Sequence, residues 1–309
     1  MNARTHALHI DDTHASRAGV RAVLAALKLR IGAEITLTAL AGVAITPGRG
    51  LELWKLASLA CAVLLASSAA GAFNQYAERD LDARMQRTRH RPFVTGALRA
   101  DLRWLVAMGA MLAAGAALAL AATNVVAAGF VVAGSLTYGV VYTVWLKRTT
   151  WLNIVVGGFA GTFAVLAGGA AVNPDISAEP ALLALALFFW TPPHFWSLAL
   201  YVRDDYVRTG IPMLPALIDE RRSAQVIFAH VVVVAVLSIL PAALDAGPVY
   251  LVCAALGGAY FTWFAVRLMR TPTRPAAWSC FKASLVQLTL LLAGALADGA
   301  WRGQLLLVS

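Results

Sequence analysis

Apolar residues in this chain fall into long blocks separated by short polar stretches. A helix crossing a hydrocarbon core takes about 20 mainly apolar residues. Windows of that kind lie at roughly 27–46, 53–76, 103–122, 125–145, 151–172, 181–202, 225–243, 248–268 and 280–299. The pattern predicts an all-α polytopic membrane bundle of about nine transmembrane helices. Hydrocarbon supplies no hydrogen-bond partners, so each backbone must satisfy itself within its helix. Small residues such as Gly157, Gly158, Gly161, Gly168 and Gly169 suit close helix packing in lipid.

The polar stretches set the organisation: an N-terminal tail over 1–26, one transmembrane domain over 27–300 and a short tail over 301–309. Charged loops fall at 77–102, 143–150, 203–224 and 267–279. Of the 25 Lys and Arg, all but Arg49, Lys55 and Arg302 lie on the side of the N-terminus. That excess predicts a cytoplasmic N-terminus and a C-terminus on the opposite, periplasmic face. The tail carries Asp11, Asp12, His6, His9 and His14 and no apolar h-region, which argues against a cleaved signal peptide.

Composition then narrows the class. Hydrophobic residues make up 60% and charged residues 13%, against about 25% charged in soluble domains. Lipid is therefore part of the solvent. The net charge of +9 follows from topology, and no nucleic-acid partner is needed to explain it. Cys61, Cys253 and Cys280 lack metal-ligand spacing and read as small hydrophobes.

The chemistry concentrates after the second predicted helix. Asn74, Glu78 and Asp82 recur every four residues, so a helix carried through them sets all three on one face. Like charges at that spacing repel unless a cation offsets them. Oxygen ligands on one face, with positions left for phosphate oxygens and water, suit Mg²⁺. Asp80 is two residues off and points elsewhere. The competing reading is a solvated loop start, its acids paired with Arg79 and Arg84. Residues 84–92 read Arg-Met-Gln-Arg-Thr-Arg-His-Arg-Pro, more positive charge than that acidic cluster neutralises. Arg forks bind phosphate bidentately, and also anchor a chain to anionic lipid.

Asn74-xxx-Glu78-xxx-Asp82, followed by Arg87-Thr88 and Arg91-Pro92, resembles the first motif of the UbiA-type intramembrane prenyltransferases. Three stretches are similar to the protoheme IX farnesyltransferase branch. They are Asn74-Gln75 with Glu78, Asp80, Asp82, Met85, Arg87 and Thr88; Tyr142-Thr143 with Leu146-Lys147-Arg148-Thr149 and Asn153 to Gly158; and Pro193-His194-Phe195-Trp196 with Asp205-Tyr206 and Gly210 to Leu214. The superfamily's second acidic motif spaces its carboxylates by four, whereas Asp204 and Asp205 are adjacent here, as in the heme branch. Residues 161–166 depart from that branch, lacking its proline.

The resemblance implies farnesyl diphosphate and heme b as substrates, Mg²⁺ as cofactor, and heme O and diphosphate as products. It implies metal ligation by Asn74, Glu78 and Asp82, with Asp204 or Asp205 as a further ligand. Arg87, Arg91, Lys147 and Arg148 would stabilise the leaving diphosphate, provided helices 2, 4 and 6 meet. Asp204, Asp205 and Tyr206 form the second loop's contribution. It further implies a bacterial inner-membrane location and, as a partner, the next heme-modifying enzyme.

His194 follows Pro192-Pro193 near mid-span in helix 6. An intramembrane histidine marks a functional site by default. Heme-iron contact and a hydrogen bond to a neighbouring helix both suit it; His230 favours the second reading. Glu34 in helix 1 predicts a pair with Arg30, one turn earlier. Trp54, Trp104, Trp145 and Trp151 sit at span ends and read as interfacial anchors. Two other functions compete: a UbiA-type transferase for an aromatic acceptor such as 4-hydroxybenzoate, and a transporter with broken mid-plane helices.

Overall fold

The structure, a computed structural model, describes residues 19–306. His6, His9, His14, Asp11 and Asp12 lie outside the described residues. Nine long helices carry the fold: α1 (Leu29–Ile45), α2 (Leu53–Ala77), α3 (Leu102–Ala122), α4 (Val125–Thr149), α5 (Asn153–Val172), α6 (Ala178–Tyr201), α7 (Glu220–Ala243), α8 (Pro248–Arg270) and α9 (Arg274–Trp301). Eight of them, α2 to α9, are long and apolar enough to cross a membrane, and the chain is an integral membrane protein. The 17 residues of α1 are extended toward the N-terminus by helix over 19–27, so the bundle has the nine rods the apolar blocks predict.

Several helices outrun their apolar windows because capping side chains start them early. Asp219 accepts from the backbone of Arg222 and opens α7 at Glu220, and Thr273 does the same for Ala276 and α9. Asn124 caps α4 through Val126 and Ala127 and donates to Ala170 O of α5 at 2.7 Å, joining two helices by one amide. The predicted loops are themselves partly helical, with turns at Arg79–Asp82, Pro92–Thr95, Arg203–Thr209 and Leu214–Leu217.

Neighbours in sequence are neighbours in space. The helices pack consecutively from α1 to α9, and α9 returns against α1 to close the ring. Across its middle, α1 presses on α5. There Gly42 and Gly168 leave no room for a side chain. A Cβ at Gly168 would stand 1.8 Å from Ala39 O, and one at Gly42 would stand 2.2 Å from Val165 O. Ring closure leaves a central apolar cavity of about 260 Å³ bounded by α1, α2, α4, α5, α6 and α9.

Two expectations fail. Arg30 and Glu34 form no ion pair among the described residues; Glu34 instead lines the central cavity. Trp104 is not an open interfacial anchor like the exposed Trp54, Trp145 and Trp151. It packs edge-on against Phe93, ring centroids 5.3 Å apart, because the 92–95 turn folds back over it.

Gly168→Ala is expected to destabilise the bundle by about 3 kcal/mol, since its clash is with backbone. Gly129→Ala, where nothing lies within 4 Å of the new methyl, is expected to be neutral or slightly stabilising. Thermal unfolding of the two variants in detergent checks the contrast.

Candidate active site

The last turns of α2 decide the site. Helical hydrogen bonding runs on past Ala77, with Glu78 N to Asn74 O at 3.0 Å and Asp82 N to Glu78 O at 2.8 Å. Asn74, Glu78 and Asp82 therefore stack on one face, and all three are buried. Burying two carboxylates unpaired would cost several kcal/mol each. Cations from three other segments prevent this. Lys147 Nζ meets Glu78 Oε2 at 2.5 Å, Arg91 meets Asp82 Oδ2 at 2.6 Å and reaches Glu78 at 4.0 Å, and Lys28 Nζ donates to Asn74 Oδ1 at 2.7 Å. Asp80, off the shared face, is half exposed and held bidentately by Arg148 at 2.9 and 3.0 Å. Those hydrogen bonds keep its carboxyl below the usual aspartate range.

Lys28 is the member that sequence patterning missed. Its charge counts toward topology, yet it turns inward across contacts to Asn74 and to Tyr138 OH, the latter at 3.2 Å. Its backbone sits in the left-handed region (φ 49°, ψ 43°) between helical residues 27 and 29. For a non-glycine residue this conformation costs on the order of 1 kcal/mol; the two hydrogen bonds offset it. The one legible signal is a lysine amid the apolar run Leu27 to Ile31.

α4 presents its side of the site through a wide turn. Thr137–Leu146 is wound as a π-helix, a form that recurs at functional sites. Thr143 Oγ1 donates to Tyr138 O five residues back and accepts from Asn74 Nδ2 at 2.9 Å. Tyr138 and Tyr142 stack with centroids 5.7 Å apart, Lys28 over the first ring and Lys147 over the second.

The second loop contributes differently from the first. Asp205 is buried and paired with Arg208, and exposed Asp204 is paired with Arg274 at 2.6 Å. Among the described residues no group of three His, Cys, Asp or Glu gathers into a metal-ligand cluster. Tyr206 is buried among Leu81, Met85 and Ile154, and there the α2 extension meets the end of α6. Burial pushes its hydroxyl up, against the pull of the neighbouring Arg87 guanidinium.

Glu78 and Asp82 fit a hard divalent cation. Both offer buried oxygens on one face, and Glu78 Oε1 has no hydrogen-bond partner. Asn74 Oδ1 is turned to Lys28, so its use as a ligand requires that lysine to move.

One wall of the cavity holds His194. Its Nδ1 lies 2.7 Å from Ser284 Oγ on α9, and the Ser284 hydroxyl is 2.6 Å from Phe281 O. A hydroxyl has one proton, here given to Phe281 O, so Nδ1 carries the imidazole proton and Nε2 keeps its lone pair. The ring stacks on Trp190 with centroids 4.3 Å apart. His230 bonds its own helix, at Val226 O, 2.9 Å.

A buried acid row ringed by Lys and Arg, at the polar end of an intramembrane apolar cavity, defines a membrane-embedded enzyme for an amphiphilic anionic substrate. The UbiA prenyltransferase family profile matches residues 35–291, and the chain belongs to that family. It is 48% identical over 281 residues to Protoheme IX farnesyltransferase 2 of Paramagnetospirillum magneticum, covering 91% of this chain and 98% of that relative. Its fold is similar to that of a digeranylgeranylglyceryl phosphate synthase (TM-score 0.75, 17% identity, 91% and 98% of the two chains). It is also similar to a UbiA homologue from Archaeoglobus fulgidus bound to DMAPP and Mg²⁺ (TM-score 0.68, 15% identity, 87% and 98%).

Glu78→Gln and Asp82→Asn are expected to lower turnover at least about 100-fold while the protein still inserts. Asp80→Asn, on the rim, is expected to stay within about threefold. Diphosphate release from detergent-solubilised variants checks all three.

Proposed function

We propose that this chain transfers a farnesyl group from farnesyl diphosphate to a vinyl group of heme b, with addition of water, giving heme O and diphosphate. The observation that carries the reading is the buried Asn74–Glu78–Asp82 row under Lys28, Lys147 and Arg91, joined through Lys28 to an apolar cavity. Relatives named protoheme IX farnesyltransferase support the choice of acceptor.

Glu78 and Asp82, with Asn74, would hold Mg²⁺, which when bound neutralises the leaving diphosphate. The chain's own cations do the rest. Lys147 and Arg91 lie against the acids, and Lys28, which also lines the cavity, lies against Asn74. With the acids engaged by a cation, these side chains would be released to turn to phosphate oxygens. Arg87 beside Tyr206 adds a further fork, and Arg148, bound to Asp80, acts from the rim. The apolar walls shield the allylic cation from premature water attack. The vinyl π pair then closes the carbon–carbon bond, and water captures the resulting cation and releases a proton to solvent.

His194, with Nε2 free and Nδ1 anchored on Ser284, serves as the heme-iron contact. Fixing one ring nitrogen to orient the other is how ligating histidines are commonly positioned. Asp204 and Asp205 act as structural partners of Arg274 and Arg208 that hold the loop carrying Tyr206. The protein sits in a bacterial inner membrane with its N-terminus cytoplasmic, and it hands heme O to the next heme-modifying enzyme.

Membranes carrying the chain, supplied with Mg²⁺, farnesyl diphosphate and heme, are expected to yield heme O by mass. Product from 4-hydroxybenzoate and none from heme would overturn the acceptor. Absence of diphosphate release with either acceptor would overturn the transferase reading. His194→Ala is expected to raise the KM for heme about tenfold or more and to leave that for farnesyl diphosphate unchanged, measured on the same product.

A further inference from the structure

Two cations outside the diphosphate site flank the cavity opening. Ile31 and Glu34 line the cavity while remaining exposed, which puts its opening beside α1; Leu285 and Leu288 of the adjacent α9 line it too. Arg30 precedes Glu34 by one turn on the same face of α1, about 6 Å nearer the polar end. Lys282 precedes Leu285 by three residues on the same stripe of α9 and lies over the Trp278 ring. Both are exposed, and neither joins an ion pair among the described residues.

Between Lys282 and the cavity wall runs a row of flat side chains. Tyr201 meets Trp278 at 5.0 Å, Trp278 meets Phe281 at 5.1 Å, and Phe281 meets His194 at 4.7 Å between ring centroids. Lys282 lies between the level where Trp278 faces Tyr201 and the deeper level where Ser284 holds His194. Arg30 enters at the same end of the bundle, two residues after Lys28. Deeper along α1, Glu34 presents a carboxyl, which offers a carboxylate no cation.

A ligand matching this pattern is flat and aromatic, with two carboxylates on one edge. We infer that Arg30 and Lys282 clamp the two propionates of the heme acceptor at the mouth of the cavity. The porphyrin then lies along the Trp278–Phe281–His194 row with its vinyl edge turned inward to the prenyl carbon. Arg30 and Lys282 act as specificity-determining residues, and the inference rests on the functional reading above. Such charge pairing at a partly exposed site selects orientation as much as affinity.

The test uses the full chain in detergent with Mg²⁺, farnesyl diphosphate and either heme or heme dimethyl ester, whose propionates carry no charge. Wild type is expected to show a KM for the ester about tenfold above that for heme. Arg30→Gln and Lys282→Gln should each raise the heme KM about fivefold, leave the ester KM and the farnesyl diphosphate KM unchanged, and so erode the preference for the free acid. Arg30→Lys and Lys282→Arg should restore most of it. Equal KM values for heme and ester in the wild type overturn the clamp without any variant having to fold. Unchanged heme KM in both glutamine variants overturns it too. No heme O from the wild type overturns the functional reading, and this inference with it.

Discussion

The site depends on placing two carboxylates, Glu78 and Asp82, where water does not reach. Neither is tolerable there alone, because an unpaired ion buried in a low-dielectric interior costs several kcal/mol, a large part of a domain's net stability. Lys147 on α4, Arg91 after α2 and Lys28 before α1 bring compensating charge. Each comes from a different part of the chain, so the charge balance also joins the ends of α1, α2 and α4 that lie on one side of the bundle. Such a network is weak as a source of stability, because desolvation offsets much of the attraction. Its value is that the cations are already assembled around the acids. In the proposed reaction, they would exchange partners with little new organisation.

The geometry of α4 follows from the same constraint. A regular α-helix would bond Thr143 to its i−4 carbonyl, with side chains repeating at three and four residues. Winding Thr137–Leu146 as a π-helix lets Thr143 bond five residues back while its hydroxyl still takes the Asn74 amide. Lys147 can then reach Glu78 while Tyr142, five residues earlier, keeps its ring beneath the ammonium. The strained Lys28 backbone has the same origin. In both segments local irregularity is retained because a buried polar group requires a partner in one place.

Much of this was legible in the chain. Apolar block length is a direct readout of hydrocarbon thickness, so the rods were placed to within a few residues. Their ends were less so, because Asp219 and Thr273 extend helices into charged sequence that hydropathy excludes. The Asn74–Glu78–Asp82 face was legible because it is local, needing only helical periodicity, and Asp80 diverged from it for the same reason. What pairs with what was not legible. Lys28 and Arg148 look alike in sequence, each basic and near a helix end, yet one turns inward to Asn74 and the other outward to Asp80. Glu34 and Arg30 have ideal spacing for a pair, and the cavity on one side of α1 removes the reason to form it. Sequence separations of 46 and 69 residues carry the decisive contacts, and those follow from helix packing alone.

Ring closure explains why such a site can exist in lipid. The long helices α1 to α9, packed in chain order with α9 against α1, leave a central space that no single neighbour fills. Apolar side chains line it along most of its depth, and Lys28, Glu34 and His194 are among the polar groups on its wall. Lys28 joins it to the charged, mutually compensated row at the end of α2. His194, anchored through Ser284, has its proton fixed by a hydroxyl already committed to Phe281 O, so its other nitrogen remains an electron-pair donor. The residues packed around its ring are Trp190, Phe195 and Phe281. In the proposed reaction, Ser284 would fix one ring nitrogen and leave the other to meet the acceptor. The closure that buries the acid row at one end thus also gives the histidine its aromatic wall, and one ring of helices carries both.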